Sequence, residues 1–180
     1  LEALRQPLEN KEVSISRAQH SLTFPASFLL IAALNPCPCG FYGDKKRTCH
    51  CGPQLINRYL EKLSGPLLDR TDLQIHVPTI EFDVIKEKKA TTSSATMKEN
   101  VDRVASLQRT RFTCPLKKNA TMTSDDVEAF CILTEPAQLL IRKVFDQLHL
   151  SMRGYHKVLK VARTIADLDS KDIIDTLKVD

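Results

Sequence analysis

Seven apolar residues in a row, Phe28-Leu-Leu-Ile-Ala-Ala-Leu34, stop abruptly at Asn35-Pro36. A strand with one wet face alternates polar and apolar residues. An unbroken apolar run of this length fits a strand buried on both faces, as in the middle of a parallel sheet. It points to an α/β architecture for this part of the chain. A second strand, Leu73 to Val77, is closed by Pro78. Ahead of the run, Glu12-Val-Ser-Ile-Ser-Arg17 alternates with period two. Ala18-Gln-His20 joins it to Ser21-Leu-Thr-Phe24, and the pair reads as a β-hairpin ended by Pro25. Leu1, Leu4 and Leu8 share one side of a helix over 1–9 that reads as already under way at the first residue. The chain is therefore expected to be a piece of a larger protein. Pro53 suits the first turn of a helix continuing to Leu63, which Ser64-Gly65-Pro66 breaks.

Beyond residue 80 the pattern changes to period 3.6. Residues 86–94 are polar and read as a linker. A helix over 95–112 places Met97, Val101, Val104, Ala105 and Phe112 on one face. Thr123 or Ser124 is placed to cap 125–132, with Asp125 and Asp126 at the positive end of its dipole. Further helices are expected over Glu135 to Leu148 and Ser151 to Leu168, with Ser170 placed to cap a last one. On helix 151–168, Tyr155, Val158, Leu159, Ala162 and Ile165 form the buried side. Arg153, His156, Lys157, Lys160 and Arg163 form the exposed one, and Lys157, Lys160 and Arg163 read as an ordinary solvated face. The organisation is an α/β segment over 1–80, a linker and connecting helix over 81–118, and an all-α bundle over 119–180.

Composition excludes several classes. No apolar stretch approaches the ~18 residues a membrane helix needs, and no secretory signal is visible, so a cytoplasmic protein without membrane contact is expected. The chain has five glycines, at 40, 43, 52, 65 and 154. None builds a G-x-x-x-x-G-K-[ST] phosphate loop or a G-x-G-x-x-G turn. The 26 basic and 22 acidic residues leave a net charge of +4. The basic excess falls within 81–118, which reads either as a solvated helix face or as a polyanion contact.

Four of the six cysteines are clustered, as Cys37-Pro-Cys39-Gly40 and Cys49-His-Cys51-Gly52. Four thiolates this close can surround one Zn²⁺ tetrahedrally, with every position filled by protein, which makes such a site structural. Lys45, Lys46 and Arg47 would offset the charge of a Zn–S₄ centre. Free thiols and two disulfides are the alternatives, and His50 could replace one sulfur. The C-x-C spacing is tighter than the usual C-x-x-C. Cys114 and Cys131 stand alone and read as packing residues.

Three polar residues stand where phosphate could sit. Asn35 follows the apolar run, and ligands of open α/β sheets bind just beyond the carboxyl ends of strands. A turn-forming Asn before Pro is the alternative. Arg70 offers a planar guanidinium suited to phosphate, or to a pair with Asp69 or Asp72. Arg153 falls in the first turn of a helix, where a cation is disfavoured and an anion attracted. A phosphate there would account for it.

Several blocks then resemble one family. They are Leu1-Glu-Ala-Leu-Arg-Gln-Pro-Leu-Glu9, Val13-Ser-Ile-Ser-Arg-Ala18, Ala32-Ala-Leu-Asn-Pro-Cys-Pro-Cys-Gly40, Ser64-Gly-Pro-Leu-Leu-Asp-Arg-Thr-Asp72 and the stretch Leu150 to Leu168. In this order they resemble the magnesium-chelatase-like AAA+ ATPases of the competence protein ComM (YifB) type. The resemblance implies the C-terminal part of a P-loop NTPase core, an incomplete parallel sheet with a β-hairpin insert, followed by a helical lid. The phosphate loop and the acidic Mg²⁺-binding strand would lie upstream. Asn35 matches sensor 1, which orients the attacking water. Arg70 matches the arginine finger, which acts in trans on a neighbouring subunit, and Arg153 matches sensor 2 of the lid. The hairpin would face the pore of a homo-oligomeric ring, a hexamer. ATP with Mg²⁺ is the implied nucleotide, and these residues alone would be inactive.

The resemblance extends to a motor on DNA for ComM-type proteins and to metal insertion into porphyrin for magnesium chelatase subunits. A zinc-stabilised nucleic-acid-binding module is a competing reading. It rests on the cysteine cluster with Lys45, Lys46 and Arg47, and on Lys98, Arg103, Arg109 and Arg111 of helix 95–112. A plain scaffold domain is the third.

Overall fold

The computed structural model describes residues 2–17, 20–78, 92–112 and 114–176. The chain forms two compact units, Leu1–Lys86 and Glu87–Asp180. Among the described residues no helix is long and apolar enough to cross a membrane.

The first unit opens with a 3₁₀ turn, Glu2–Leu4, and helix α1, Arg5–Asn10. Lys11 ends α1 in the left-handed conformation, its N–H returning to Pro7 O at 2.9 Å. Strands β1, Glu12–Arg17, and β2, His20–Pro25, pair antiparallel in the register Val13↔Phe24, Ile15↔Leu22 and Arg17↔His20. Period two sorts their side chains. Hydroxyls meet across one face, Ser14 with Thr23 at 3.0 Å and Ser16 with Ser21 at 3.1 Å. Ile15, Leu22 and Phe24 stay largely exposed. Helix α2, Pro53–Leu60, starts on a proline, and α3, Gly65–Leu68, is capped by Ser64, whose Oγ accepts from Leu67 N at 3.3 Å.

The segments read as buried strands depart from expectation. Residues 28–34 and 73–77 are not strands, and Leu29, Ile31, Ile75 and Val77 are each about four-fifths exposed. A central strand needs hydrogen-bonding neighbours on both edges. Among the described residues the hairpin is the whole sheet, and neither segment pairs with it. The order of a small sheet followed by helices is nonetheless the α/β-then-α class read from the sequence.

The second unit is helical: α4, Ser94–Phe112; α5, Ser124–Phe130; α6, Glu135–Leu148; and α7, Met152–Leu168. Its core gathers Phe112, Met122, Val127, Cys131, Ile141, Leu159, Ala162, Ala166 and Ile174. Phe112 and Phe130 meet edge to face at 5.5 Å. Thr123 and Asp126 form a reciprocal capping box, the Thr123 N–H donating to the carboxylate at 2.7 Å and Asp126 N–H to Thr123 Oγ1 at 3.3 Å. Ser170 does not cap a further helix among the described residues. The chain there turns back, and Ile174 forms a parallel bridge to Leu133.

Four side-chain placements need correction. On α4 the buried positions are Val104, Gln108 and Phe112, while Met97 and Val101 are exposed. Ile165 is also exposed. Arg163, read as part of a solvated face, is 1% exposed. Its Nε donates to Asp167 Oδ1 at 3.0 Å, and its other donors reach the carbonyls of Lys171 and Asp172. Asp167, also 1% exposed, accepts from Arg111 at 2.7 Å and from Asn119 at 2.8 Å. The charge is buried because it is paired and its hydrogen bonds are met.

Candidate functional site

The cysteine loop begins directly after the apolar run. Gly40 follows Cys39 with φ +83°, a conformation open to glycine, and its N–H returns to Cys37 O at 3.0 Å. Asp44 then turns the chain, its carboxylate accepting from Lys46 N at 2.6 Å and Arg47 N at 3.1 Å. These turns bring the second pair back onto the first. The sulfurs of Cys37, Cys39, Cys49 and Cys51 all lie within 4.8 Å of one another. Cys37–Cys39 is 3.3 Å, Cys39–Cys49 3.5 Å and Cys37–Cys49 3.7 Å. Four sulfurs ~2.3 Å from one Zn²⁺ stand about 3.8 Å apart along a tetrahedral edge, so the cluster fits that ion. The tight C-x-C spacing is no obstacle, and no disulfide forms among the six cysteines. His50 is exposed and outside the sulfur group.

The thiols do not ionise alike. The Phe41 backbone amide, aided by a hydrogen bond from Cys37, lowers the Cys39 thiol to about 6. For Cys49, the Cys51 amide favours the thiolate, but burial and the neighbouring Cys39 and Cys37 outweigh it and push the thiol up to about 12. Cys51 is raised against a favourable contact with the Cys39 backbone, by burial and by the Cys39 and Cys37 sulfurs. One thiolate suppresses the next, and a bound dication removes that conflict. Around the cluster, Lys45 and Lys46 are exposed, and the Arg47 guanidinium lies 5.1 Å over the Phe41 ring.

Asn35 is exposed, two residues ahead of the buried Cys37. Arg70 lies just past α3 and is partly buried. Its Nε donates to Glu9 Oε2 at 3.1 Å, Nη2 pairs with the same oxygen, and Nη1 donates to Pro66 O at 2.6 Å. Its ion-pair partner is therefore Glu9, not Asp69 or Asp72. Arg153 is exposed in the first turn of α7, whose N-cap Ser151 accepts from Gly154 N at 3.1 Å. Glu9 was not singled out by sequence reasoning. Nothing in the pattern links residues 61 positions apart.

The basic helix read as a nucleic-acid face is committed to the fold at two of its four cations, Arg103 and Arg111. Arg103 donates to Leu168 O at 2.6 Å and Ser170 Oγ at 2.8 Å, closing the C-terminus of α7. Arg111 is bound to Asp167, Lys98 pairs with Asp102, and Arg109 donates to Ser106. Cys131 is buried in the core and Cys114 packs against it, as packing residues do.

Residues 1–85 match the family described as magnesium chelatase, subunit ChlI, and residues 91–180 match its C-terminal counterpart, subunit ChlI C-terminal. The chain belongs to the magnesium chelatase ChlI family. Among relatives, it is 44% identical over 97% of its length to competence protein ComM of Haemophilus influenzae, of which it covers 33%. It is 39% identical, also over 97% of its length, to the uncharacterized protein YifB of Escherichia coli, of which it covers 34%. An uncharacterized protein of Mycobacterium tuberculosis is 35% identical over 93% of this chain, which covers 33% of it. The chain thus spans about a third of the length of the curated relatives it matches.

Proposed function

We propose that these residues form the sensing and trans-acting half of an ATP site in a magnesium-chelatase-related AAA+ ring ATPase. The observation that carries this reading is the family match running in order through both units, with Asn35, Arg70 and Arg153 inside the blocks that resemble sensor 1, the arginine finger and sensor 2. Phosphoryl transfer asks a protein for a positioned water and for positive charge at the γ-phosphate. Asn35 orients the water. Arg70 places its guanidinium against the nucleotide of the neighbouring subunit, so hydrolysis requires a ring, here a hexamer. Arg153, at the positive end of α7, reports nucleotide state to the lid. The phosphate loop comes from the part of the protein outside these residues, and the three segments 1–80, 81–118 and 119–180 act as core, connector and lid.

The cysteine cluster holds one structural Zn²⁺. The sulfur geometry supports this, and the ion would tie the loop after Asn35 into a fixed shape. The ring works as a cytoplasmic motor on DNA, a reading that rests on the likeness to ComM. Porphyrin metal insertion is the weaker assignment, since the identity to ComM extends over nearly the whole chain.

In the intact protein, Arg70→Ala is expected to keep ATP bound and to lose turnover. The 180 residues alone are expected to turn over no ATP. Wild-type turnover by the Arg70→Ala protein would refute the finger.

A second reading, a zinc-stabilised nucleic-acid-binding module, is favoured by Lys45 and Lys46 standing exposed beside the cysteine cluster. It predicts salt-sensitive DNA binding by this chain alone. Absence of binding at low salt removes it.

A further inference from the structure

Arg70 is held by a residue from a different part of the first unit. Of its five N–H donors, three are engaged, two on the Nε–Nη2 edge by Glu9 Oε2 and one on Nη1 by Pro66 O. Two N–H groups remain for an incoming oxyanion. The Arg70 side chain is 14% exposed and that of Glu9 36%. The guanidinium is thus supported from within while part of it still meets solvent. Glu9 sits in the last turn of α1, and α1 is tied to the base of the hairpin, where Ala26 N donates to Lys11 O at 2.7 Å. The support is part of the folded unit rather than a passing contact between two loose side chains.

An unrestrained arginine samples many rotamers, and each must be given up when it meets a phosphate. A carboxylate on the Nε–Nη2 edge removes that search. It also draws on the cation's charge, but Glu9 is exposed enough for solvent to screen it, whereas the hydrogen-bond geometry does not depend on long-range charge.

We propose that Glu9 is the positioning residue of Arg70, fixing its guanidinium so that its two remaining N–H groups are presented to the γ-phosphate held by the neighbouring subunit. This rests on the reading of Arg70 as a finger acting in trans. In this role Glu9 acts on the nucleotide through Arg70.

The test uses the intact protein, with ATP turnover measured across ATP concentration. Glu9→Gln is expected to lower kcat about tenfold and to leave KM for ATP within about twofold, because the nucleotide is bound by a different subunit. Glu9→Asp, which keeps the charge on a shorter arm, is expected to fall between. Glu9→Gln subunits mixed with subunits that have a broken phosphate loop but intact Glu9 and Arg70 are expected to regain turnover, since the defect travels with the finger. A merely structural role would impair ring assembly, and mixing would not rescue it. Wild-type kcat in Glu9→Gln, or a loss that mixing does not rescue, overturns the proposal where Arg70→Ala is inactive. Should Arg70→Ala itself turn over ATP at the wild-type rate, the finger reading fails, and the role of Glu9 falls with it.

Discussion

Asp167 carries more of the helical unit than its single charge suggests. It binds Arg111, Arg163 and Asn119 at once, and both of its oxygens are used. Removing it leaves two arginines facing a dry interior. Asp167→Ala is expected to cost about 3–5 kcal/mol, the usual penalty for breaking a buried pair, read by chemical denaturation. A change under about 1 kcal/mol would contradict this. The four cysteines make a separate residue-scale prediction. The purified protein should carry one zinc per chain, and Cys37→Ser should lose it. Less than half an equivalent, with four readily titrated thiols, would exclude the site. The two features differ in how legible they were. Cys37, Cys39, Cys49 and Cys51 are close in sequence, and spacing alone proposed the cluster that the loop then assembles. Arg163 looked like a surface cation because the Lys171 and Asp172 carbonyls reach it only where the chain turns back after α7, although Asp167 lies one turn away on the same helix.

At the scale of elements, α5 is anchored by its cap. Lys117 donates to Asp126 at 2.8 Å, and this contact with the Thr123 hydrogen bonds holds the Asp126 carboxyl down at about 2. Asp167 is also lowered, because its hydrogen bonds to Arg111 and Asn119 outweigh burial, the largest single effect and an opposing one. Both groups bind protons less readily folded than unfolded. Their stabilisation is therefore present above the ordinary carboxylate range near pH 4 and is lost as pH falls below it, through about 2 for Asp126. Thermal unfolding of the helical unit should show a falling midpoint across that window, with a shallower fall in Asp126→Ala. An unchanged slope would contradict the assignment. Thr123→Ala is expected to cost about 1 kcal/mol near neutral pH, the usual value of an N-cap. The long helices were legible because apolar spacing and caps coincide, as at Ser151 and Thr123. The run 28–34 was not, because an apolar strand takes its shape from neighbouring strands, and none beside it is present among the described residues.

For the whole molecule, the two units coincide closely with the two parts of the ChlI family, 1–85 and 91–180. Membership was legible in the order of the blocks. The partner of Arg70 was not, because Glu9 meets it only when α1 folds back onto the segment after α3. A finger that acts on a neighbour makes catalysis a property of the ring rather than of a subunit, and that sets the decisive measurement. Intact subunits carrying Arg70→Ala and intact subunits with a broken phosphate loop should each be inactive alone. Mixed, they should regain part of the wild-type ATP turnover, since some sites then pair a sound phosphate loop with a sound Arg70. Mixed rings that form and yet hydrolyse no ATP would contradict an Arg70 that works in trans.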